Sequence, residues 1–124
     1  MKQKTLSKLK KILWKHFSLF IRKRDKGICF ICGRKCKGSG YHAAHFIPKS
    51  IGGLELYFSE LNVHGCCYNC NINLGGNSYE YSVKLGPNKI KELYDLKLKT
   101  RNVVWSRGDY ESKIKLYEKN KNIV

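Results

Sequence analysis

Leu6, Leu9, Leu13, Phe17 and Phe20 recur at steps of three and four, which puts them on one stripe of an amphipathic helix from about residue 5 to residue 24. Lys8, Lys11, Lys15 and Arg22 fall on its other side, and Gly27 suits its stop. From Ile28 to about Asn62 the pattern becomes short apolar pairs broken by glycine, as at Gly52-Gly53, which predicts loops and a small hairpin. Within that stretch HAAHFI, residues 42–47, reads as a strand that Pro48 confines to a strand end or an edge. A helical stretch is expected after Cys67, interrupted around Gly75-Gly76, with a further break at Gly86-Pro87. Ile90, Leu93 and Leu96 or Lys97 predict a short helix. Ser106 and Asp109 have capping-box spacing, so a last helix is expected from Asp109 to about Lys121 with Ile114 and Tyr117 as its apolar edge. The fold class is therefore α+β in one compact domain, divided into a basic helix (1–26), a cysteine-rich core (27–85) and a basic helical extension (86–124).

A chain of 124 residues has room for one modest core, which a metal would brace. It contains no run of 18 apolar residues, and its first residues are studded with lysine rather than forming a signal sequence. A cytoplasmic protein with no membrane partner is expected. Six cysteines in such a compartment would stay reduced, so their spacing is read as metal chemistry before disulfides.

The net charge of +16 is unevenly spread. Residues 1–24 hold nine Lys or Arg and no acid, 25–83 hold five against four, and 84–124 hold eleven against five. The flanks carry the positive field, which points to nucleic acid as partner over a merely solvated surface or an anionic membrane. Lys8, Lys11, Lys15, Arg22, Arg24 and Lys49 are the candidate phosphate contacts.

Cys29-Phe-Ile-Cys32 and Cys67-Tyr-Asn-Cys70 are two Cys-x-x-Cys knuckles. Together they supply the four thiolates of a closed structural zinc site, which leaves no open position for catalytic water. Cys36 lies close enough in sequence to replace Cys32, and Cys66 to replace Cys67. Zinc bound this way encloses His42 and His45 and pins both near the helical stretch after Cys70.

His45-Phe-Ile-Pro48, followed by Asn62 and then Cys67-x-x-Cys70, resembles the elements of the HNH, or ββα-metal, nucleases. A longer co-linear set is similar to the NinG, or Rap, recombination endonucleases of lambda-like phages: Phe20-Ile-Arg22-Lys-Arg24-Asp25, Cys29-x-x-Cys32-Gly33, Ala43-Ala44-His45-Phe46, Asn62-Val-His64, Cys67-x-x-Cys70-Asn71, Gly76-Asn77 and Tyr81. The resemblance covers roughly residues 14–120. It implies a zinc-braced ββα-metal core and cleavage of branched DNA, including Holliday junctions and displacement loops. It also implies His45 as general base, Asn62 as the asparagine supporting the base-bearing strand, and a catalytic divalent metal, magnesium or manganese. Many HNH nucleases place an acidic metal ligand just before the base, where this chain has Ala44. NinG-like members tend to carry an Asp three residues before the base, where this chain has His42, so His42 and Asn71 are the expected ligands. Residues three apart on a regular strand point to opposite faces, so a bulge would be needed to bring His42 and His45 into one site. His64 either orients the scissile phosphate or is a packed histidine.

The chemistry requires a water deprotonated near neutral pH, a task suited to a neutral imidazole. Three readings compete. The first is a metal-dependent, structure-selective endonuclease. The second is an HNH nuclease for nicking, homing or DNA packaging. The third is a noncatalytic zinc module that only binds DNA. A homodimer, using the apolar stripe of the first helix, is also expected because a four-way junction has opposed strands to cut.

Overall fold

The computed structural model describes residues 3–119. Helix α1 (Leu6–Arg24) opens where the Thr5 hydroxyl accepts the Lys8 N–H at 3.1 Å, and it ends at Asp25 before Gly27 turns with φ 76°. Its buried stripe is Leu9, Leu13, Phe17 and Ile21. Phe20 is only half-buried and Leu6 lies exposed, so Ile21 closes the stripe. The stripe packs against the sheet and the last helix of the same chain. It is therefore not the free apolar surface on which a dimer was expected to form.

Strands β1 (Tyr41–His45) and β2 (Val63–Cys67) pair antiparallel, from Tyr41 opposite Cys67 to His45 opposite Val63, with no residue left over in the ladder. Their connection was read as loop, yet it contains helix α2 (Lys49–Tyr57). Gly53 lets α2 kink, with φ 76°, and a Cβ there would come within 2.9 Å of the Arg101 carbonyl oxygen. Gly65 is required for a different reason: the Tyr41 ring lies on it, where a Cβ would collide with the ring and hydroxyl. That hydroxyl donates to the Ile28 carbonyl at 2.9 Å and so ties the knuckle to the strand.

After β2 a π-helical turn (Asn69–Asn73) leads to α3 (Ser78–Leu85), α4 (Pro87–Thr100) and α5 (Arg107–Lys119). Helix α4 is longer than its apolar spacing predicts. Helix α5 begins before Asp109 because Ser106 and Asp109 cap each other: the Ser106 N–H donates to the Asp109 carboxylate at 2.8 Å, and the Asp109 N–H to the Ser106 hydroxyl at 3.2 Å. The expected end of this helix at Lys121 lies outside the described residues. No helix among the described residues is long and apolar enough to cross a membrane.

Two cores lie on the two sides of the hairpin. One joins α1, Phe58, Val63, Trp105, Tyr110 and Tyr117; the other joins the cysteines, Ala44, Ile47, Leu56, Tyr81, Leu85 and Leu93. Asn62 is the polar link in the connection between the strands. It is fully buried, accepts the Ile47 N–H at 2.8 Å, and donates to the Ile47 and Leu56 carbonyls, both at 3.0 Å. Asn62→Ala would leave those three backbone groups without their partner, so a loss of about 3 kcal/mol is expected in urea unfolding. An unchanged midpoint would mean that water replaces the amide.

Candidate functional site

The Sγ atoms of Cys29, Cys32, Cys67 and Cys70 all lie within 4.8 Å of one another. Cys32 and Cys67 are 3.6 Å apart, close to the edge of about 3.8 Å in a tetrahedron with 2.3 Å zinc–sulfur bonds. The quartet fits a structural metal ion such as zinc. Backbone N–H groups of Cys32 and Cys70 point at the sulfurs of Cys29 and Cys67, at 3.5 and 3.4 Å, and the Asn77 amide reaches the Cys70 sulfur at 3.7 Å. Cys36 stays outside the group, with its thiol on the Arg34 carbonyl at 3.5 Å. Cys66 is buried among the core residues beside the quartet, and burial pushes its thiol well above the usual range.

The end of α1 is locked to β2 by Arg24 and Asp25. Asp25 accepts the Gly65 N–H at 2.7 Å and forms a two-pronged ion pair with Arg24 at 2.8 and 3.0 Å. Arg24 also donates to the Glu60 carbonyl at 2.7 Å and the Val63 carbonyl at 2.8 Å. Four of its five N–H groups are thus engaged inside the fold, so Arg24 leaves the set of candidate phosphate contacts. Lys8, Lys11, Lys15 and Lys49 are exposed, while Arg22 is half-buried and bonds the Ser18 carbonyl at 3.2 Å.

His45, half-buried at the end of β1, is held between two aromatic rings. Trp14 of α1 stacks on it at 5.2 Å and Tyr57 of α2 at 4.6 Å. Its Nε2 lies 2.9 Å from the Tyr57 carbonyl. A carbonyl only accepts, so Nε2 holds the ring proton and Nδ1 keeps a lone pair. Nδ1 makes no hydrogen bond among the described residues, where no fully buried side-chain polar atom lacks a partner, so it is not completely enclosed. Burial holds the imidazole below its usual pKa, against the upward pull of the Tyr57 carbonyl, and the nearby Lys49 charge adds a smaller downward push. The ring is a neutral base at neutral pH. The two rings that hold it also line a cleft of about 310 Å³ with Ser7, Lys10, Lys11 and Lys49, where the Lys10 ammonium lies 4.8 Å above the Tyr57 ring.

His42 and Asn71 are brought together, with the Asn71 amide nitrogen 2.9 Å from His42 Nδ1. His42 Nε2 meets the Ser39 carbonyl at 2.9 Å, so Nδ1 again carries the lone pair. A ring nitrogen donating to a carbonyl while the other is offered outward is how metal-binding histidines are held. Turning the Asn71 amide would present its oxygen beside that nitrogen, so this pair suits a divalent ion that keeps most of its waters. The unbroken register, however, puts His42 and His45 on opposite faces of β1. Among the described residues, the cysteine quartet is the one group of three or more His, Cys, Asp or Glu side chains close enough to hold a metal.

His64 sits opposite Ala44 and stacks on Phe30 at 3.9 Å. The Tyr81 hydroxyl donates to the Ala44 carbonyl at 2.8 Å and takes a hydrogen bond from His64 Nδ1 at 2.9 Å. Burial first, and the Arg24 charge second, pull the His64 pKa down to about 4. This chain of contacts holds the peptide that joins Ala44 to His45. Trp14 and Lys10 were not singled out as site residues from sequence, whereas Tyr57 and Tyr81 read there as core in preference to stackers for unpaired bases. The place of Trp14 beside the α1 stripe reads equally as core.

A family model described as Bacteriophage Lambda NinG protein matches residues 1–122. Comparisons with curated proteins and with solved structures give no match.

Proposed function

The chain belongs to the bacteriophage lambda NinG family, and from that premise we propose that it is a metal-dependent, structure-selective DNA endonuclease on an HNH-type core. Its substrates in this reading are branched recombination intermediates such as Holliday junctions and displacement loops. The observation that carries the proposal is the His45 imidazole, neutral, fixed in one tautomer by the Tyr57 carbonyl, and left without a hydrogen bond at Nδ1. The order of parts supports it: β1 ending in the base, a connection stapled by Asn62, β2, then a turn bearing Asn71 directly after Cys70.

His45 Nδ1 takes the proton of the attacking water, and Nε2 keeps its bond to Tyr57 as the ring charges. Trp14 and Tyr57 fix the ring plane, so the lone pair is aimed without further ordering. Tyr81 and His64 position the preceding peptide. Lys10, Lys11 and Lys49 bind the flanking phosphates in the cleft beside the base, with Lys8 and Lys15 extending the basic face of α1. Zinc in the cysteine quartet holds the hairpin against the turn. A divalent ion, magnesium or manganese, would be held by His42 and Asn71 and would supply positive charge to a bound phosphate. The products are 5′-phosphate and 3′-hydroxyl ends.

The opposite-face placement of His42 and His45, together with Ala44, favours one rival: a zinc-containing protein that binds branched DNA without cutting it. The deciding experiment is cleavage of a labelled four-way junction beside matched duplex and single strand, in magnesium, manganese or chelator, for wild type and His45→Ala. Metal-dependent and His45-dependent cutting at the branch supports the nuclease. Tight binding with no cutting in either metal establishes the rival, and equal cutting of linear duplex points to a nicking, homing or packaging enzyme.

A further inference from the structure

The nuclease reading sets its base and phosphate contacts at the His45 end of the hairpin, where α1 and Lys49 flank the ring, and its metal pair at His42 and Asn71. A second cleft, of about 510 Å³, opens next to the cysteine quartet, at the hairpin end where Tyr41 pairs with Cys67. Its walls are the knuckle segment with Arg34, Lys35 and Lys37 and the turn after β2 with Tyr68, Asn69 and Asn73. All three cations are exposed and make no ion pair with an acid among the described residues. Neither wall contains an acid: residues 26–54 and 61–79 hold no Asp or Glu.

Tyr68 is half-exposed, and its ring meets that of His42 in a T-shaped contact at 5.8 Å. Asn73 donates to Asn69 at 3.2 Å, so the two amides form one polar shelf in the same wall. A row of cations for a phosphate chain, a half-exposed aromatic ring for a base and amides for polar edges together make the equipment of single-strand binding.

We infer that this cleft is a second DNA site, and that it holds a single-stranded segment while the α1 face holds a duplex arm. The inference rests on the nuclease reading only for the identity of the partner as DNA. Two sites at the two ends of one hairpin give a single chain a means of preferring a branch, where paired and unpaired DNA diverge, over either alone. Tyr68 packs against His42, so a strand seated in the cleft is led toward His42 and Asn71.

A simpler role for the three cations is to balance the charge of about −2 on a zinc ion with four thiolates. The two roles predict different losses. The test uses the full chain, fluorescence anisotropy without added divalent cation, and two variants: Arg34→Ala/Lys35→Ala/Lys37→Ala, and Tyr68→Ala. The probes are a labelled oligothymidylate, a matched duplex and a flapped duplex, with bound zinc counted in each protein. The expected result for the triple variant is at least tenfold weaker binding of oligothymidylate and flap, with duplex affinity and zinc content unchanged. The slope of log affinity on log salt for oligothymidylate should fall by about two, since each lost contact to single-stranded phosphate removes roughly 0.7. Tyr68→Ala should weaken single-strand binding with no change in that slope. Loss of zinc in step with loss of DNA binding would make the cations partners of the metal and overturn the inference. So would unchanged single-strand affinity in both variants. Because binding is read without cleavage, a protein that cuts no DNA overturns the nuclease and leaves this result standing.

Discussion

His45→Ala is expected to lower junction cleavage by about 10²–10⁴-fold, the range for a positioned general base, while affinity for the junction is kept. The reason lies in the ring's surroundings. Its Nε2 proton is committed to Tyr57, so all base strength resides at Nδ1, and no other histidine on that face replaces it. His64 lies across the sheet with Nδ1 engaged by Tyr81, and His42 points away with Asn71. The pH profile gives an independent check. Burial holds the imidazole pKa below 6.5, so the deprotonated, active form is already dominant at pH 7. The rate should stay level above neutrality and drop only on acidification, as protonation removes the Nδ1 lone pair. A profile still rising above pH 7 would assign the base to another group. The alanine variant also loses a ring stacked between Trp14 and Tyr57, so its melting temperature must be measured beside its rate. A variant that is folded, binds junction and still cuts at the wild-type rate would end the role of His45.

Much of this arrangement was legible from residue spacing, and the rest was hidden for definable reasons. The α1 stripe, the capping pair Ser106 and Asp109, and the break at Gly86-Pro87 are local signals, and local geometry follows them. The four cysteines come together as their paired spacing requires. Strand β2 was hidden because all five of its residues are buried, which erases the alternation by which a strand is read. Helix α2 was hidden because Gly52 and Gly53 look like breakers. Gly52 lies against Leu56 and Ile47, while Gly53 kinks the helix beside Arg101. The separation of His42 from His45 follows from strand parity and needs no tertiary information. By contrast, the pairing of Trp14 with His45, and of Arg24 with β2, joins residues dozens of positions apart. Charge and hydropathy along the chain carry no trace of either. Arg24 read as a phosphate contact because its charge was visible and its carbonyl partners were not.

The largest effect of all is expected from emptying the cysteine quartet. The segment between α1 and β1 has little regular structure beyond the bridge between Ile28 and Lys35 and a 3-10 turn at Gly38–Gly40. Three of the four thiols are themselves core residues, packed with Ile31, Ala44 and Tyr81. Four unmetallated thiols at these distances would be left as weak hydrogen-bonding groups in place of a tetrahedral anchor. Structural zinc in small domains contributes about 10–16 kcal/mol of binding energy, which is as large as the whole stability of a typical domain, about 5–15 kcal/mol. The expected stoichiometry is one zinc per chain. Cys70→Ser should lose that ion and either fail to fold or melt more than about 10 °C lower, with the near-ultraviolet signal of the buried aromatics collapsing together with it. Cys36→Ser is the control, because its thiol bonds only the Arg34 carbonyl; it should keep both the zinc and the melting temperature. If Cys36→Ser loses the metal while Cys32→Ser keeps it, the fourth ligand has been misassigned. The knuckle would then close one turn later, moving Arg34 and Lys35 inside the metal loop. If chelation removes the zinc and the melting temperature does not move, the hairpin is held by Arg24, Asp25 and Asn62 alone. His45 would then keep its place between Trp14 and Tyr57 without the metal, and the zinc would have to be explained by the cleft beside it that we propose as a DNA site.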